Sequence, residues 1–399
     1  MAGSPGRRRQ SRATADPRAI ALQALQQVDR QGAYTDIALD RALRQAPPDL
    51  NPADRALASE LVYGIVRRQR TLDALIDRLG KKSARQQPPD LRLLLHLGLY
   101  QLRHSDRIPA RAAVHSTVEL AKRSGPKFYA GALNGILRSY LRAVETGEDP
   151  LPLPNDAIAR LGVEHSFPDW IVSLWDRQFG RAIATELCTW FNQAPSLDLR
   201  VNPLQTNLDT LQAALGDRDI TATPLPHLPQ TLRLTSGKIG PISKLPGFDA
   251  GWWSVQDGSA QLVVHLLAPQ PGETIIDACA APGGKATHIA ELMGDRGTIW
   301  ACDRDAKRLQ KVTENAKRLQ LTSIRTLAGD SRDREQFIES ADRVLVDAPC
   351  SGLGTLHKRP DLRWRQTPDN IAEIITLQRT LLAQTAAWVK PGGILVYAT

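Results

Sequence analysis

The apolar positions change their period along the chain, and the changes divide it into three parts. From about residue 16 to residue 147 they recur every three or four residues. One such face holds Ala21, Ala24, Leu25 and Val28, and the next Leu61-Val62, Ile65-Val66, Leu72, Leu75-Ile76 and Leu79. Leu91, Leu94-Leu95, Leu99 and Leu102 repeat it, as do Ala132-Leu133, Ile136-Leu137, Tyr140 and Leu141. This spacing lines one face of a helix. Asp16-Pro17 supplies a cap with proline at the first helical position, and Gly32 a stop. With no strand signal, residues 16–147 are predicted to form an all-α bundle. Glu148–Pro154 holds three prolines in seven residues and reads as a linker.

Residues 155–253 read as a small α+β domain. His165-Ser166-Phe167-Pro168-Asp169-Trp170 leads into a helix carrying Ile171, Leu174, Trp175 and Phe179, and residues 197–250 alternate short strand-like pieces with Pro- and Gly-rich turns. Trp252-Trp253 either packs or stacks on bases. From 254 to 399 strands and helices alternate. Strands are predicted at Thr274–Asp277, Gly297–Asp303, Ser323–Leu327, Arg343–Asp347 and Gly393–Ala398, with helices at Ala286–Met293, Ala306–Leu319 and Ile371–Val389. That alternation predicts a parallel α/β sheet covered by helices on both faces.

Charge sharpens the first part. Residues 1–150 carry 25 Lys and Arg against 15 Asp and Glu, whereas residues 151–399 carry 26 against 27. The whole excess of +9 therefore lies with the helical part, and it suits a polyanion. Without it, the helices would fit a protein-binding bundle equally well. The arm 1–15, with Arg7-Arg8-Arg9, is expected to be disordered, as a solvated tail or an auxiliary RNA contact. It does not resemble a signal peptide, and no apolar run approaches the ~20 residues of a membrane span. Four cysteines without CxxC spacing argue against a disulfide framework or a metal site, and fit a reducing cytoplasm.

Two motifs carry chemistry. Cys279-Ala280-Ala281-Pro282-Gly283-Gly284-Lys285 lies at a strand-to-helix turn, where paired glycines let backbone approach a ligand closely. Asp347-Ala348-Pro349-Cys350-Ser351-Gly352 puts a carboxylate and a thiol at the end of another strand. Both should face one crevice, because open α/β sheets bind ligands at the carboxyl ends of their strands. Asp303, 20 residues after Gly283, is placed to accept from a ribose diol, a spacing that also fits a nicotinamide enzyme. The Ala-Pro-Gly-Gly turn lacks that fingerprint. Asp330 would lie near an adenine amino group or simply cap its loop.

At these residues the chain resembles the RNA cytosine-5 methyltransferases that use S-adenosylmethionine, and among them the bacterial 16S ribosomal RNA enzymes of the RsmB (Sun) type. The match extends through Leu199-Arg200-Val201-Asn202-Pro203, Ser254-Val255-Gln256-Asp257 and Gly354-Thr355-Leu356-His357-Lys358-Arg359-Pro360-Asp361. Asp54-Arg55, Glu60-Leu61-Val62-Tyr63-Gly64 and Asp106-Arg107-Ile108-Pro109 resemble NusB-like RNA-binding domains.

The resemblance implies a multidomain protein. A NusB-like bundle comes first, then a small RNA-positioning domain without the aromatic pair of a stacking sheet, then a Rossmann-like methyltransferase sheet ending at its fifth strand. It implies a cofactor site at Cys279, Ala280, Ala281, Pro282, Gly283, Gly284, Lys285, Asp303, Asp330 and Asp347, with no metal. Asp347 would contact the base and Lys285 would lie beside it, unless the lysine only pairs with a carboxylate or caps backbone. A cysteine thiolate adds to C6 of cytosine in this family, and Cys350 matches the thiol that assists release. The attacking cysteine belongs at the position after Thr399, so the chain is expected to be an inactive fragment. The alternatives are a short RNA-binding assembly factor and an enzyme in which Cys350 itself attacks. The implied partner is 16S ribosomal RNA, unassembled or partly assembled, bound by a cytoplasmic monomer with no membrane or DNA partner.

Overall fold

A carboxylate opens the first helix. Asp16 accepts from the Arg18 N–H, and α1 (Pro17–Gln31) closes on Gly32 in the left-handed region. The structure, a computed structural model, describes residues 16–48, 50–237 and 239–399, so the expectation for arm 1–15 lies outside the described residues. The periodic faces become α2 (Thr35–Gln45), α3 (Pro52–Leu79), α4 (Pro89–His104), α5 (Ala110–Ser124) and α6 (Lys127–Glu145). Their apolar sides close on one core that includes Leu61, Leu72, Leu75, Leu94, Leu95, Leu133 and Leu137. Among the described residues no helix is long and apolar enough to cross a membrane.

The chain divides into two compact units, and the division is not sequential. The first runs to Ala194 and also takes in Gly352–Gln366, and the second comprises Pro195–Ser351 and Thr367–Thr399. The stretch 155–253, expected as one α+β domain, is therefore shared. Its helices α7 (Ala157–His165), α8 (Asp169–Phe179) and α9 (Arg181–Trp190) belong to the first unit. They bury Phe167, Ile171, Val172, Trp175, Cys188 and Phe191 around Leu356.

The returning segment is tied down by polar anchors. Arg363 is fully buried, its Nη1 donating to Ser166 O at 3.0 Å, Asn192 Oδ1 at 3.1 Å and Arg67 O at 3.2 Å. Its guanidinium lies 3.9 Å from the Phe167 ring centroid. Burial, and then Arg67 and Arg68, pull its pKa well below the ordinary range. Trp364 donates from Nε1 to Val66 O at 2.7 Å, within the four-residue helix α14 (Leu362–Arg365).

The second unit contains two sheets. The smaller is antiparallel, in the order β2-β3-β1-β4, from β1 (Leu197–Val201), β2 (Thr221–Leu225), β3 (Leu228–Ser236) and β4 (Trp253–Val255), with α10 (Leu208–Gly216) inserted. Successive residues of β1 face opposite ways. Leu199 and Val201 join the core that includes Trp253, whose indole donates to Pro246 O at 2.7 Å. Trp253 packs; it does not present a face to bases. The other side of β1 and β3 is also buried, with Asp198, Arg200 and Thr231 each under a tenth exposed.

The larger sheet is all parallel, in the order β7-β6-β5-β8-β9. Its strands are β5 (Thr274–Asp277), β6 (Thr298–Asp303), β7 (Ile324–Ala328), β8 (Ala341–Asp347) and β9 (Val389–Ala398). The connections are α12 (Gly284–Leu292), α13 (Ala306–Arg318) and α15 (Pro368–Ala386), and α11 (Gly258–Leu267) precedes β5. Strand order reverses between β5 and β8, the place where doubly wound sheets open a crevice at their carboxyl ends.

Candidate active site

Both motifs sit at that reversal. β5 delivers Asp277 and then the Cys279–Lys285 turn, and β8 delivers Asp347 and then Cys350. Lys285 Nζ and Asp347 Oδ2 are 2.6 Å apart, so a salt bridge spans the two motifs. The carboxylate pairing that competed with a role beside the base is therefore realised in this state.

The turn is held by its carbonyls. Arg308 Nη2 donates to Ala281 O at 2.7 Å and Asn315 Nδ2 to Pro282 O at 3.1 Å, both from α13. Thr287 Oγ1 donates to Gly283 O at 2.8 Å, and Arg200 Nη1 to Gly284 O at 2.6 Å. Four successive carbonyls are thus drawn back by side chains. The first-turn amides of Gly284, Lys285 and Ala286 have no acceptor within α12, as at any helix start. Gly283 has φ +103°, and a Cβ there would meet Val312 Cα at 3.0 Å; at Gly284 a Cβ would find nothing nearer than Gln256 Nε2 at 3.8 Å. One glycine is required by conformation and packing, and the other leaves open space.

Carboxylates crowd beneath the turn. Asp277 is wholly buried, its Oδ2 without a hydrogen-bond partner. Burial, and next the charge of Asp347, push its pKa up to about 7. Asp303, at the end of β6, accepts from the Asp305 N–H at 2.9 Å and lies 3.4 Å from Arg308 Nη1. Asp330 caps a short 3-10 turn and pairs with Arg332 at 2.7 Å. The Arg332 hydrogen bond lowers its pKa to about 2.

The thiols differ sharply. Cys188 and Cys302 are buried, Cys279 is partly buried and Cys350 is exposed. Burial raises Cys188, Cys279 and Cys302 to about 12 each, which leaves them inert as nucleophiles near neutral pH. Among the described residues no group of three or more His, Cys, Asp or Glu could hold a metal ion.

Several residues escape a reading by motif. Arg200 and Glu291 form a doubly hydrogen-bonded pair with neither side chain exposed, Nε to Oε2 at 2.8 Å and Nη2 to Oε1 at 2.7 Å. Burial raises the Glu291 carboxyl and Arg200 opposes it. The sequence signal for Arg200 was its place in Leu199–Pro203; nothing local marked Glu291, 91 positions away. Asp277 read only as the end of a strand.

A family model described as 16S rRNA methyltransferase RsmB/F matches residues 264–399, the NusB family matches 15–142, and a ferredoxin-like domain of RsmF/B-like methyltransferases matches 167–239. The chain is 52% identical over 384 residues to the probable ribosomal RNA small subunit methyltransferase B of Synechocystis, covering 96% of this chain and 85% of that protein. It is 35% identical to the Bacillus subtilis protein of the same name, covering 96% and 84%. The crystal structure of PH0851 superposes with a TM-score of 0.79 at 26% identity, over 95% of this chain and 85% of that one. Fold, motifs and relatives together place the chain in the RsmB/F family of ribosomal RNA small subunit methyltransferases.

Proposed function

We propose that the protein methylates C5 of a cytosine in 16S ribosomal RNA, with S-adenosylmethionine as donor and through a covalent cysteine–C6 adduct. The observation that carries this reading is the meeting of the two motifs across the β5–β8 reversal, joined by Lys285 and Asp347. The residues fit the donor. The unpartnered, buried Asp277 Oδ2 suits an ammonium, the free amides opening α12 suit a carboxylate, and Asp303 suits a ribose diol. Asp330 would approach the adenine with its outer edge. S-adenosylmethionine supplies an electrophilic methyl on a sulfonium.

The chain's own residues then act on the base. A thiolate–C6 bond forms and pushes electrons onto N3, which takes a proton from the Lys285 ammonium, and the Asp347 carboxylate accepts the resulting N3–H. C5, now enamine-like, takes the methyl as the S–CH3 bond breaks, and the sulfonium becomes the neutral thioether of S-adenosylhomocysteine. Cys350, exposed beyond the end of β8, assists release as a thiolate by taking the C5 proton: C5=C6 re-forms, the attacking thiolate leaves C6 and the N3 proton returns to Lys285. In the pattern that the chain resembles, the attacking thiol follows Thr399, the residue just after β9. The basic first unit would capture the RNA.

A second reading rests on Cys350 being the exposed thiol among four: it attacks C6 itself. Calorimetry tests the donor site, where S-adenosylmethionine should bind and Gly284→Asp should abolish binding. For the acceptor, a protein with cysteine at the position after Thr399 should release tritium from cytosine C5 in step with methyl incorporation. Methylation without tritium release would refute C5. Release by the 399-residue chain that disappears in Cys350→Ala would establish the second reading.

A further inference from the structure

Arg200 belongs to the small antiparallel sheet, yet its side chain ends on the backbone of the donor turn. It lies on β1 between Thr231 of β3 and Ser254 of β4, on the side opposite Leu199 and Val201. Its guanidinium meets Glu291 near the end of α12 and Gln256, and also reaches the helix's beginning. There Nη1 donates to Gly284 O at 2.6 Å, and Nη2 donates at 3.0 Å to Thr287 Oγ1, which in turn donates to Gly283 O at 2.8 Å. No part of the side chain is exposed.

Peptide planarity gives this arrangement a directional consequence. The C=O of one residue and the N–H of the next lie in one plane and point in opposite senses. Gly283 O is held within α12, by the Thr287 N–H at 2.9 Å and its Oγ1 at 2.8 Å; Arg200 adds a direct bond to Gly284 O and orients that Oγ1, and so braces the Gly284 and Lys285 N–H groups, two amides without an acceptor in the helix. A cation at a helix N-terminus opposes the macrodipole, and Glu291 offsets that cost while leaving the donor geometry intact.

We infer that Arg200 is a positioning residue for the methyl donor: from the small sheet, it aims the amides that receive the donor's amino-acid carboxylate. This rests on the assignment of that turn to the carboxylate tail.

The test compares two ligands that differ in that tail. S-adenosylhomocysteine carries it, whereas 5′-methylthioadenosine keeps the adenosine and thioether without it. Calorimetry is run on the full chain as wild type, as Arg200→Met/Glu291→Met, which strands no charge, and as Thr287→Val, which removes only the relay hydroxyl. For the double variant, S-adenosylhomocysteine affinity should fall about tenfold or more, the scale of one charge-assisted hydrogen bond, with 5′-methylthioadenosine within about twofold. Thr287→Val should move the same way by less, and serves alone if the double variant does not fold. An unchanged affinity ratio, or an equal loss for both ligands, overturns the inference. A wild type that does not distinguish the two ligands would refute the tail assignment itself.

Discussion

Substituting alanine at Gly283 and, separately, at Gly284 should give opposite results at adjacent positions. Gly283 sits at φ +103°, where an L-residue costs about 1–2 kcal/mol. Its new Cβ would also lie 3.0 Å from Val312 Cα and 3.2 Å from Val312 Cγ1. These atoms belong to the buried Val312 of α13, so the helix must shift, and overpacking of this kind costs about 1–3 kcal/mol. Reduced freedom of the unfolded chain returns about 0.4–1 kcal/mol, leaving a net loss of roughly 2–4 kcal/mol. Gly284 has no positive φ and open space around it, so alanine there should be neutral or stabilising by up to about 1 kcal/mol through helix propensity. The gap of about 3 kcal/mol is roughly a hundredfold in the local opening constant. Hydrogen exchange of peptides spanning β5 and α12 reads that constant without requiring the two units to unfold together. Equal protection in the two variants, or a larger loss at Gly284, would refute the packing and strain argument.

Further predictions concern charge. Asp277 holds a proton in the folded apo protein up to about pH 7, which the unfolded chain gives up near pH 4. Its stability contribution is therefore greatest below about pH 4, falls as pH rises to about 7 and is flat beyond. An ammonium-bearing donor favours the ionised form, so binding near pH 6 should release close to one proton. Calorimetry in buffers of different ionisation enthalpy should find that release gone in Asp277→Asn; a persistent release would implicate another group. Arg363→Lys, which cannot reach three separate acceptors or stack on Phe167 in the same way, should destabilise the first unit by about 3 kcal/mol. Exchange protection in α8 reports it, and an unchanged profile would argue against the anchor. Affinity for 16S ribosomal RNA should weaken at least about tenfold between 50 and 200 mM salt, as expected when several phosphates are neutralised. A flat response would point instead to a protein-binding bundle.

Much of this architecture is legible along the chain because it depends on local period. The five parallel strands and the helices between them fall close to the positions expected from alternation, and both motifs lie at strand ends as their glycines and carboxylates suggest. Relations between distant residues are less visible. Glu291 looks like an ordinary polar helix position until Arg200 is brought to it, and Asp277 like a strand terminus until burial, and then Asp347, raise its proton affinity. The assignment of α7–α9 was equally hidden, since an amphipathic face specifies an apolar partner without naming it. The covering residue, Leu356, comes from a stretch whose motif could be matched but whose destination could not be read.

That excursion also sets a timetable for synthesis. The first unit lacks Leu356, Arg363 and Trp364 until translation has passed residue 366, although its helices are complete by Trp190. At roughly 5–20 residues per second, making Pro195–Ser351 takes on the order of ten to thirty seconds, during which Phe167 and Trp175 wait for their cover. A polypeptide cut after Ala194 would keep that wound open permanently. The halves of this molecule are therefore poor candidates for separate expression, and a nascent chain paused between them is a natural client for a chaperone.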